Sequence, residues 1–328
     1  MEALLLLATK KGLVSARHVG DGWREIGHSL DGHQVTSVIA REGVALAGTH
    51  NGIFRSEDMG HTWQAASSSL TVPYVRWLAY HPEVSDLEFA GTEPAAIFVS
   101  HDGARSWREC REVAQLRDQF GWSLPYSPNR GCVRGFAFSG KRAYAAVEVG
   151  GVLRSDDGGE TWRLAQGSDG KPAFVDPPAP FIHSDLHSII VHPSSPDLVL
   201  APTGNGFYRS VDGGKTWERL YRCYCRTAWS DPTDPAHMLL GPADGVERNG
   251  RIEETHDGGH TWQPASVDLA VPWPDYLVER FTQIDSELLA VLSNGQVWGA
   301  QLAQLGSWHQ VLPDIQGVAA LALLTEEQ

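Results

Sequence analysis

Short apolar runs of about four to six residues alternate with polar turn residues along the whole chain. In one stretch, residues 35–40, 44–48 and 52–56 are such runs, and a fourth begins at Thr62. Runs of this length, bounded by Gly, Asn, Asp and Ser, are typical of β-strands joined by tight turns. The pattern therefore predicts units of four strands, which we letter a to d in chain order.

The first strand of the unit recurs along the chain, at residues 75–80, 133–138, 186–191, 225–230 and 278–283. The N-terminal unit has no strand a, because residues 3–8 match strand b, residues 12–17 match strand c and residues 23–26 match strand d. Residues 317–324 supply the missing strand at the other end of the chain. Pairing of the two ends would close the ring of sheets and leave no open sheet edge.

A short motif of the form Ser/Thr-x-Asp-x-Gly-x-Ser/Thr-Trp marks the turn from strand c to strand d. Five copies are found, at residues 56–63, 100–107, 155–162, 210–217 and 255–262. Degenerate copies at residues 20–23 and 305–308 complete a series of seven tryptophans, at Trp23, Trp63, Trp107, Trp162, Trp217, Trp262 and Trp308. Seven units of roughly 40 to 50 residues predict an all-β fold, a seven-bladed β-propeller forming one domain over residues 1–328.

The chemistry of the motif fits a structural turn. Asp and Ser oxygens accept hydrogen bonds from turn backbone, glycine adopts positive φ, and Trp buries a large apolar ring against a neighbouring blade. The repeated Asp-x-Gly-Gly also resembles a calcium loop, but we favour the structural role. We therefore expect no metal and no cofactor at these turns.

Composition fits a closed globular ring, with 42% hydrophobic residues available for the core. Met1-Glu2 is not a basic signal-peptide start, and the leucine run at residues 4–7 is too short for an apolar signal segment. Four cysteines are too few for a disulfide framework in a chain of 328 residues. We expect a cytoplasmic protein. A net charge of −14 disfavours nucleic acid and anionic membrane as partners.

Propeller geometry places the c-to-d turns on one face and the b-to-c and d-to-a connections on the other, where strand a enters the central channel. Aligning the inner strands puts one residue of each blade at the same level near that mouth: Thr36, Arg76, Arg134, His187, Arg226, Glu279 and Gln316. Loops on the same face add Lys10 and His50. We expect this set to form the functional site.

Two interpretations of the set remain open. In one, the side chains line a solvated channel and pair with one another, Glu279 with Arg226 for example. In the other, three guanidinium groups exceed the carboxylates available, with only Glu279 at their level, and form a site for a carboxylate or phosphate. Glu93 and Glu148 lie in loops nearby and offset part of this charge.

Two long d-to-a connections lie on the mouth face, at residues 109–131 and 166–185. Their aromatic and Pro-rich composition predicts pocket walls, with Trp122, Tyr126 and Phe174 among the candidates.

His183, Asp185 and His187 alternate on the approach to the fifth inner strand, so in extended chain they face one side. A metal site and an oriented His-Asp pair are both compatible with this spacing, and we favour the His-Asp pair without a metal.

The five motif copies resemble the Asp-box, or BNR, repeat, and the whole chain is similar to the sialidase and BNR-repeat superfamily. The resemblance implies the propeller fold. Sialidases bind a substrate carboxylate with three arginines, and Arg76, Arg134 and Arg226 are similar in type. The chain differs in having seven units instead of six, in lacking the N-terminal Phe-Arg-Ile-Pro-like motif, and in showing no identifiable Tyr-Glu nucleophile pair.

Two functions follow from the resemblance and the site. One is a hydrolase or lyase acting on an anionic, sugar-derived small molecule, with Glu279 or His187 as acid or base and Asp185 as the neighbouring carboxylate. The alternative is a non-catalytic binding or assembly module, similar to photosystem II assembly factors, that holds the acidic segment of a partner at the same mouth.

Overall fold

The computed structural model describes residues 3–20, 22–124, 131–172 and 175–326. Asp21, Tyr126 and Phe174 lie outside these residues. The strands form seven antiparallel sheets of four, and the inner strand of each sheet lies beside the inner strand of the next. The prediction of a seven-bladed β-propeller is confirmed.

The strands of the first three blades follow chain order except for the closing strand. They are β1 (Ala3–Thr9), β2 (Gly12–Val19), β3 (Gly22–Ser29), β4 (Val35–Arg41), β5 (Val44–Thr49), β6 (Gly52–Ser56), β7 (Gln64–Ala65), β8 (Val75–Tyr80), β9 (Glu88–Thr92), β10 (Ile97–Ser100) and β11 (Arg108–Glu109). A helix, α1 (Arg111–Phe120), follows the third blade.

The remaining blades continue the same plan. Their strands are β12 (Cys132–Ser139), β13 (Arg142–Glu148), β14 (Gly151–Ser155), β15 (Arg163–Leu164), β16 (Ile190–His192), β17 (Ser195–Thr203), β18 (Gly206–Ser210), β19 (Glu218–Tyr221), β20 (Tyr224–Ser230), β21 (Met238–Ala243), β22 (Glu253–Thr255), β23 (Gln263–Pro264), β24 (Val278–Ile284), β25 (Glu287–Leu292), β26 (Val297–Gln301), β27 (His309–Val311) and β28 (Val318–Thr325).

The two ends of the chain close the ring, as predicted. Strand β1 pairs with β2 on one side and with β28 on the other, both antiparallel, in the order β28-β1-β2-β3. Leu4 lies opposite Leu324, and Leu7 lies opposite Leu321. Both edges of β1 are therefore hydrogen-bonded inside a sheet.

The core lies between blades, and side-chain alternation along each strand supplies it. Leu5 and Leu7 of β1 pack with Leu289 of the preceding blade, whereas Leu4 and Leu6 pack toward the following one. Successive residues point to opposite faces of a sheet, so one apolar strand fills two inter-blade layers.

The motif between strands c and d is a hydrogen-bonded turn, as predicted. In the copy at residues 210–217, Asp212 accepts hydrogen bonds from the Thr216 backbone at 2.9 Å and from the Thr216 hydroxyl at 2.6 Å. Ser210 Oγ accepts from Gly214 N at 2.8 Å and donates to Asp212 at 2.8 Å. The Asp212 carboxylate is thus engaged by the turn itself. Trp217, the last residue of the motif, is 5% exposed.

The first long connection departs from the prediction of a pocket wall at Trp122, whereas His183 and Asp185 of the second line a cavity. Trp122 is fully buried, and its Nε1 donates to the backbone oxygen of Gly170 at 2.8 Å. Trp122 of the first connection therefore contacts Gly170 of the second in the core. The prediction that Trp122 lines the mouth is wrong. The indole ring gains more from burial beside α1 than it would at a polar rim.

The fifth inner strand is shorter than residues 186–191. Only Ile190–His192 forms a strand, and Leu186 makes an isolated bridge with Thr203. All four cysteines are free thiols. No helix among the described residues is long and apolar enough to cross a bilayer.

Candidate functional site

A β-bulge at the channel mouth sets the position of the ring residues. Pairing between strands a and b shifts register after Val35, Val75, Val133, Cys225 and Val278. The residues that follow these positions are Thr36, Arg76, Arg134, Arg226 and Glu279. A bulged residue leaves the ladder and its side chain is redirected. The predicted equivalence of these five positions is confirmed.

The closing blade requires a correction. Thr9 pairs with Val318 and Ala8 with Ala320, so Ala319 is the bulged residue of β28. Gln316 is exposed and precedes the strand. The prediction that Gln316 belongs to the ring is wrong, because the strand enters the channel three residues later than the sequence alignment assumed.

Glu279 joins two of the arginines in a buried ion layer. One carboxylate oxygen lies 2.6 Å from Arg134 Nη2 and the other 2.6 Å from Arg226 Nη1. Burial alone would raise the pKa of Glu279, but Arg226 and Arg134 outweigh it and hold that pKa well below its usual range. A carboxyl group with this pKa direction is ionised at neutral pH and is unsuited to act as a general acid.

Two further glutamates complete the pairing of the arginines. Glu148, the last residue of β13, accepts from Arg134 Nη1 at 3.1 Å. Arg76 lies 3.3 Å from Glu93 and donates to the hydroxyl of Tyr74 at 2.6 Å. The prediction that Glu93 and Glu148 offset part of the arginine charge is therefore confirmed. The expectation that carboxylates are too few for the three arginines is wrong, because Glu93, Glu148 and Glu279 all pair with them. The mutual pairing of the first interpretation is confirmed.

Arg280 is the site residue that the sequence analysis missed. Its guanidinium carbon lies 3.8 Å from the centre of the Trp77 ring, and its Nε has no hydrogen-bond partner among the described residues. Burial lowers the pKa of Arg280 to about 9. Arg134 and Arg76 act in the same direction, whereas Glu279 acts against them. The guanidinium is therefore protonated at neutral pH. Successive residues of a strand point to opposite faces of the sheet, so Arg280 would normally point away from the side that Glu279 faces. The bulge turns both side chains toward the channel.

The channel is divided at this layer. A cavity of about 200 Å³ lies on the mouth side, and another of about 280 Å³ lies deeper. Both are bounded by Trp77, Arg134, Glu279 and Arg280. The mouth cavity, as we name the first, is also lined by Lys10, Thr36, His50, Tyr74, Arg76 and Asn294.

The mouth cavity has an excess of positive charge. Lys10, Arg76, Arg134 and Arg280 line it together with the carboxylate of Glu279. Glu93 and Glu148 pair with Arg76 and Arg134, which leaves four cationic side chains against three carboxylates. His50 stacks on Tyr74 with ring centres 4.0 Å apart, and its Nε2 is buried without a partner among the described residues. Burial and the neighbouring Arg76 lower the pKa of His50, so this ring is neutral at pH 7.

Asp185 lines a different cavity, of about 800 Å³, with His183, His187 and Tyr224, and His187 also lines the deeper channel cavity. His187 Nδ1 lies 2.8 Å from the backbone oxygen of Cys225, and its Nε2 lies 3.5 Å from Asp185. The predicted His-Asp pair is therefore present. It lies apart from Lys10 and His50.

A cation at this pair would meet unfavourable electrostatics. Donor atoms of Glu148, Asp185 and His187 lie within 4.8 Å of one another. Glu148, however, already accepts from Arg134 and from the Cys132 thiol, the latter at 3.1 Å. The fixed positive charge of Arg134 opposes a metal ion at the same carboxylate.

Comparison with known proteins agrees with the architecture. The family model described as the BNR/Asp-box repeat matches residues 153–164 and 208–219. No curated protein sequence matches the chain significantly.

Among solved structures, an ancestral GH74 enzyme superposes with a TM-score of 0.64 at 16% identity, covering 84% of this chain and 38% of the enzyme. The chain therefore spans well under half of that enzyme. YCF48 bound to D1 peptide gives a TM-score of 0.60 at 15% identity and covers 96% of this chain and 89% of YCF48. YCF48 from Cyanidioschyzon merolae gives 0.63 at 14% identity, covering 92% of each chain.

These structural similarities, at identities of 14 to 16%, establish the fold alone. Together with the repeat match, the seven sheets and the hydrogen-bonded Asp turns, they identify the chain as a seven-bladed β-propeller that carries BNR/Asp-box repeats at residues 153–164 and 208–219.

Proposed function

We propose that the chain is a binding module that takes an anionic group, a carboxylate or a phosphate, in the mouth cavity. The observation that carries the proposal is Arg280, whose guanidinium lies over the Trp77 ring and whose buried Nε has no hydrogen-bond partner among the described residues. A charge buried without a matched partner is costly, and a bound anion would offset that cost. Arg280 therefore takes the anchoring role that we expected from Arg76, Arg134 and Arg226.

The other lining groups fit the same ligand. Lys10 and Arg76 add positive charge, and His50 Nε2 at the cavity has no hydrogen-bond partner among the described residues. A volume of about 200 Å³ is small for a whole ligand, so it suits the charged end of a larger molecule that extends over the mouth face.

Glycoside hydrolysis is less well supported than binding. It requires two carboxyl groups free to act as acid and as base or nucleophile. Glu148 and Glu279 are both held by arginines. Asp185 is the remaining carboxylate that the sequence predicted for catalysis, and it lines the neighbouring cavity with its partner His187.

Titration calorimetry of the full chain against acetate, glutarate, phosphate and sulfate tests the proposal. We expect the parent protein to bind at least one of these anions, and Arg280→Ala to weaken that binding by about 10- to 100-fold, as expected for loss of a charge-assisted hydrogen bond. Arg105→Ala is the matched control, because Arg105 is exposed on the opposite, Asp-turn face. Binding that is absent in the parent, or equal in parent and Arg280→Ala, would refute the proposal.

A peptide is the second candidate ligand, and one observation favours it. The structural neighbour YCF48, which this chain matches over 96% of its length, is seen with a bound peptide. If the anion belongs to a peptide, an Asp/Glu-rich decapeptide should bind more tightly than glutarate and compete with it, whereas the corresponding Asn/Gln decapeptide should not. Equal affinity for both peptides would contradict an acidic peptide ligand.

A further inference from the structure

A second cluster of ligand-type side chains lies on the sixth blade, at the Asp-turn end and away from the mouth. Strand pairing joins Met238 to Thr255 and Leu239 to Glu254, which places His237 directly opposite His256. Glu254 and His256 are two residues apart, so they share a face of the sheet. The register therefore brings His237, Glu254 and His256 together on that face.

The donor atoms of the three residues converge. Glu254 Oε1 lies 2.8 Å from His237 Nε2 and 3.4 Å from His256 Nε2. Ligands held about 2.0 to 2.1 Å from a tetrahedral zinc ion are separated by roughly 3.3 Å, so the two observed separations bracket the value that zinc needs. The two imidazole rings stack with centres 4.4 Å apart.

His237 is oriented by a second carboxylate. Its Nδ1 lies 3.1 Å from Asp231 Oδ2, and its ring packs edge-on against Trp229. Asp231 is itself held by the backbone and hydroxyl of Thr233, at 2.8 and 2.7 Å. A ligand histidine whose other nitrogen is bonded to a carboxylate is the usual arrangement around zinc, since it fixes the ring and its tautomer.

The position of His237 between two carboxylates has a chemical consequence. If Nδ1 donates its proton to Asp231, a neutral ring presents the Nε2 lone pair to Glu254 Oε1, which is repulsive at 2.8 Å. Either a second proton or a metal ion has to lie between these two atoms. Each would remove the repulsion, and only the metal would also engage His256.

We propose that His237, Glu254 and His256 bind a divalent transition-metal ion, with zinc preferred and water or an external ligand in the fourth position. Two imidazoles and one carboxylate are an established zinc ligand set, whereas Mg²⁺ and Ca²⁺ prefer oxygen ligands. Side chains of His237 and Glu254 are 13% and 19% exposed, and His256 is 68% exposed, so a solvent path to the site is open. The proposal is independent of the mouth cavity.

Titration of the EDTA-treated full chain with ZnCl2, MgCl2 and CaCl2 tests the site. We expect one zinc ion per chain and no heat from the other two cations at the same concentrations. His256→Ala, at an exposed turn position, and Glu254→Gln should each weaken zinc binding at least about tenfold, and Asp231→Asn by about 10- to 100-fold through His237. His260→Ala is the matched control, since His260 is an exposed histidine of the same turn outside the cluster.

Cobalt(II) distinguishes this site from the free cysteines, because a thiolate ligand produces an intense charge-transfer band that imidazole and carboxylate do not. We expect that band to be absent. No zinc bound by the parent, undiminished binding in both His256→Ala and Glu254→Gln, an equal loss in His260→Ala, or a thiolate band with cobalt would each overturn the proposal.

Discussion

The guanidinium of Arg280 lies 3.8 Å from the centre of the Trp77 ring, although the two residues belong to the seventh and third blades and face each other across the channel. Arg134 of the fourth blade also crosses to Glu279 of the seventh. These two contacts divide the channel and form the floor of the mouth cavity. The inner strands thus supply a charged layer as well as the wall of the ring.

Glu279→Gln tests the role of this layer in stability. The change leaves Arg134 and Arg226, whose side chains are 13% and 14% exposed, without their shared carboxylate. Breaking a fully buried ion pair from one side costs about 3 to 5 kcal/mol, so we expect a loss of unfolding free energy of up to that size. Denaturant unfolding measures the loss, and added sulfate should recover part of it. Glu247→Gln is the control, because Glu247 is 52% exposed at 3.8 Å from Arg226. A loss below about 1 kcal/mol, the range of exposed pairs, would contradict the buried layer.

Trp162→Ala tests the structural role of the Asp turns. Trp162 is 3% exposed and its Nε1 donates to Gly159 O at 2.9 Å, so we expect a loss of about 3 to 5 kcal/mol in unfolding free energy. Trp217→Ala should behave in the same way, and Trp63→Ala, at a partly exposed ring, should cost less. Thermal melts of the three variants provide the comparison. Unchanged stability of both Trp162→Ala and Trp217→Ala would show that the motif is not a core element.

Stability at acid pH depends on the aspartates of the turns. Partial burial would raise the pKa of Asp212, but hydrogen bonds from Thr216, Ser210 and Lys215 outweigh it and lower that pKa to about 2. A depressed folded-state pKa contributes stability that is present above the unfolded value, about 3.9, and is lost as pH falls through the folded value. We therefore expect the free energy of unfolding to fall between about pH 4 and pH 2.

Asp212→Asn should reduce this dependence on pH, because the substituted residue no longer titrates. Asp31→Asn, at an exposed turn outside the motifs, is the control. Urea unfolding at pH 2.5, 4 and 7 provides the measurement. A parent protein equally stable at pH 4 and pH 2.5, or an equal effect of the two substitutions, would contradict the assignment.

The blade count and the turns were predictable from the sequence because each depends on neighbours in the chain, and the ring closure was predictable because the first repeat lacks a strand that the last residues supply. The turn around Asp212 is complete within residues 210–217, and its hydrogen bonds span at most four positions. A tryptophan at each repeat marks the units, and the missing first strand is evident from the pattern of residues 3–17. The equivalence of Arg76, Arg134 and Arg226 follows from the same repetition.

The composition of the site was decided by tertiary structure. Arg134 and Glu279 meet although 145 positions separate them, and Glu148 reaches Arg134 from the adjacent strand. The position of Ala319 in place of Gln316 depends on where β28 pairs with β1. The inward turn of Arg280 depends on a bulge, which shifts strand register by a residue without a local sequence marker. Local hydrogen-bonding chemistry therefore determined the propeller, whereas contacts across the channel decided which charges are paired.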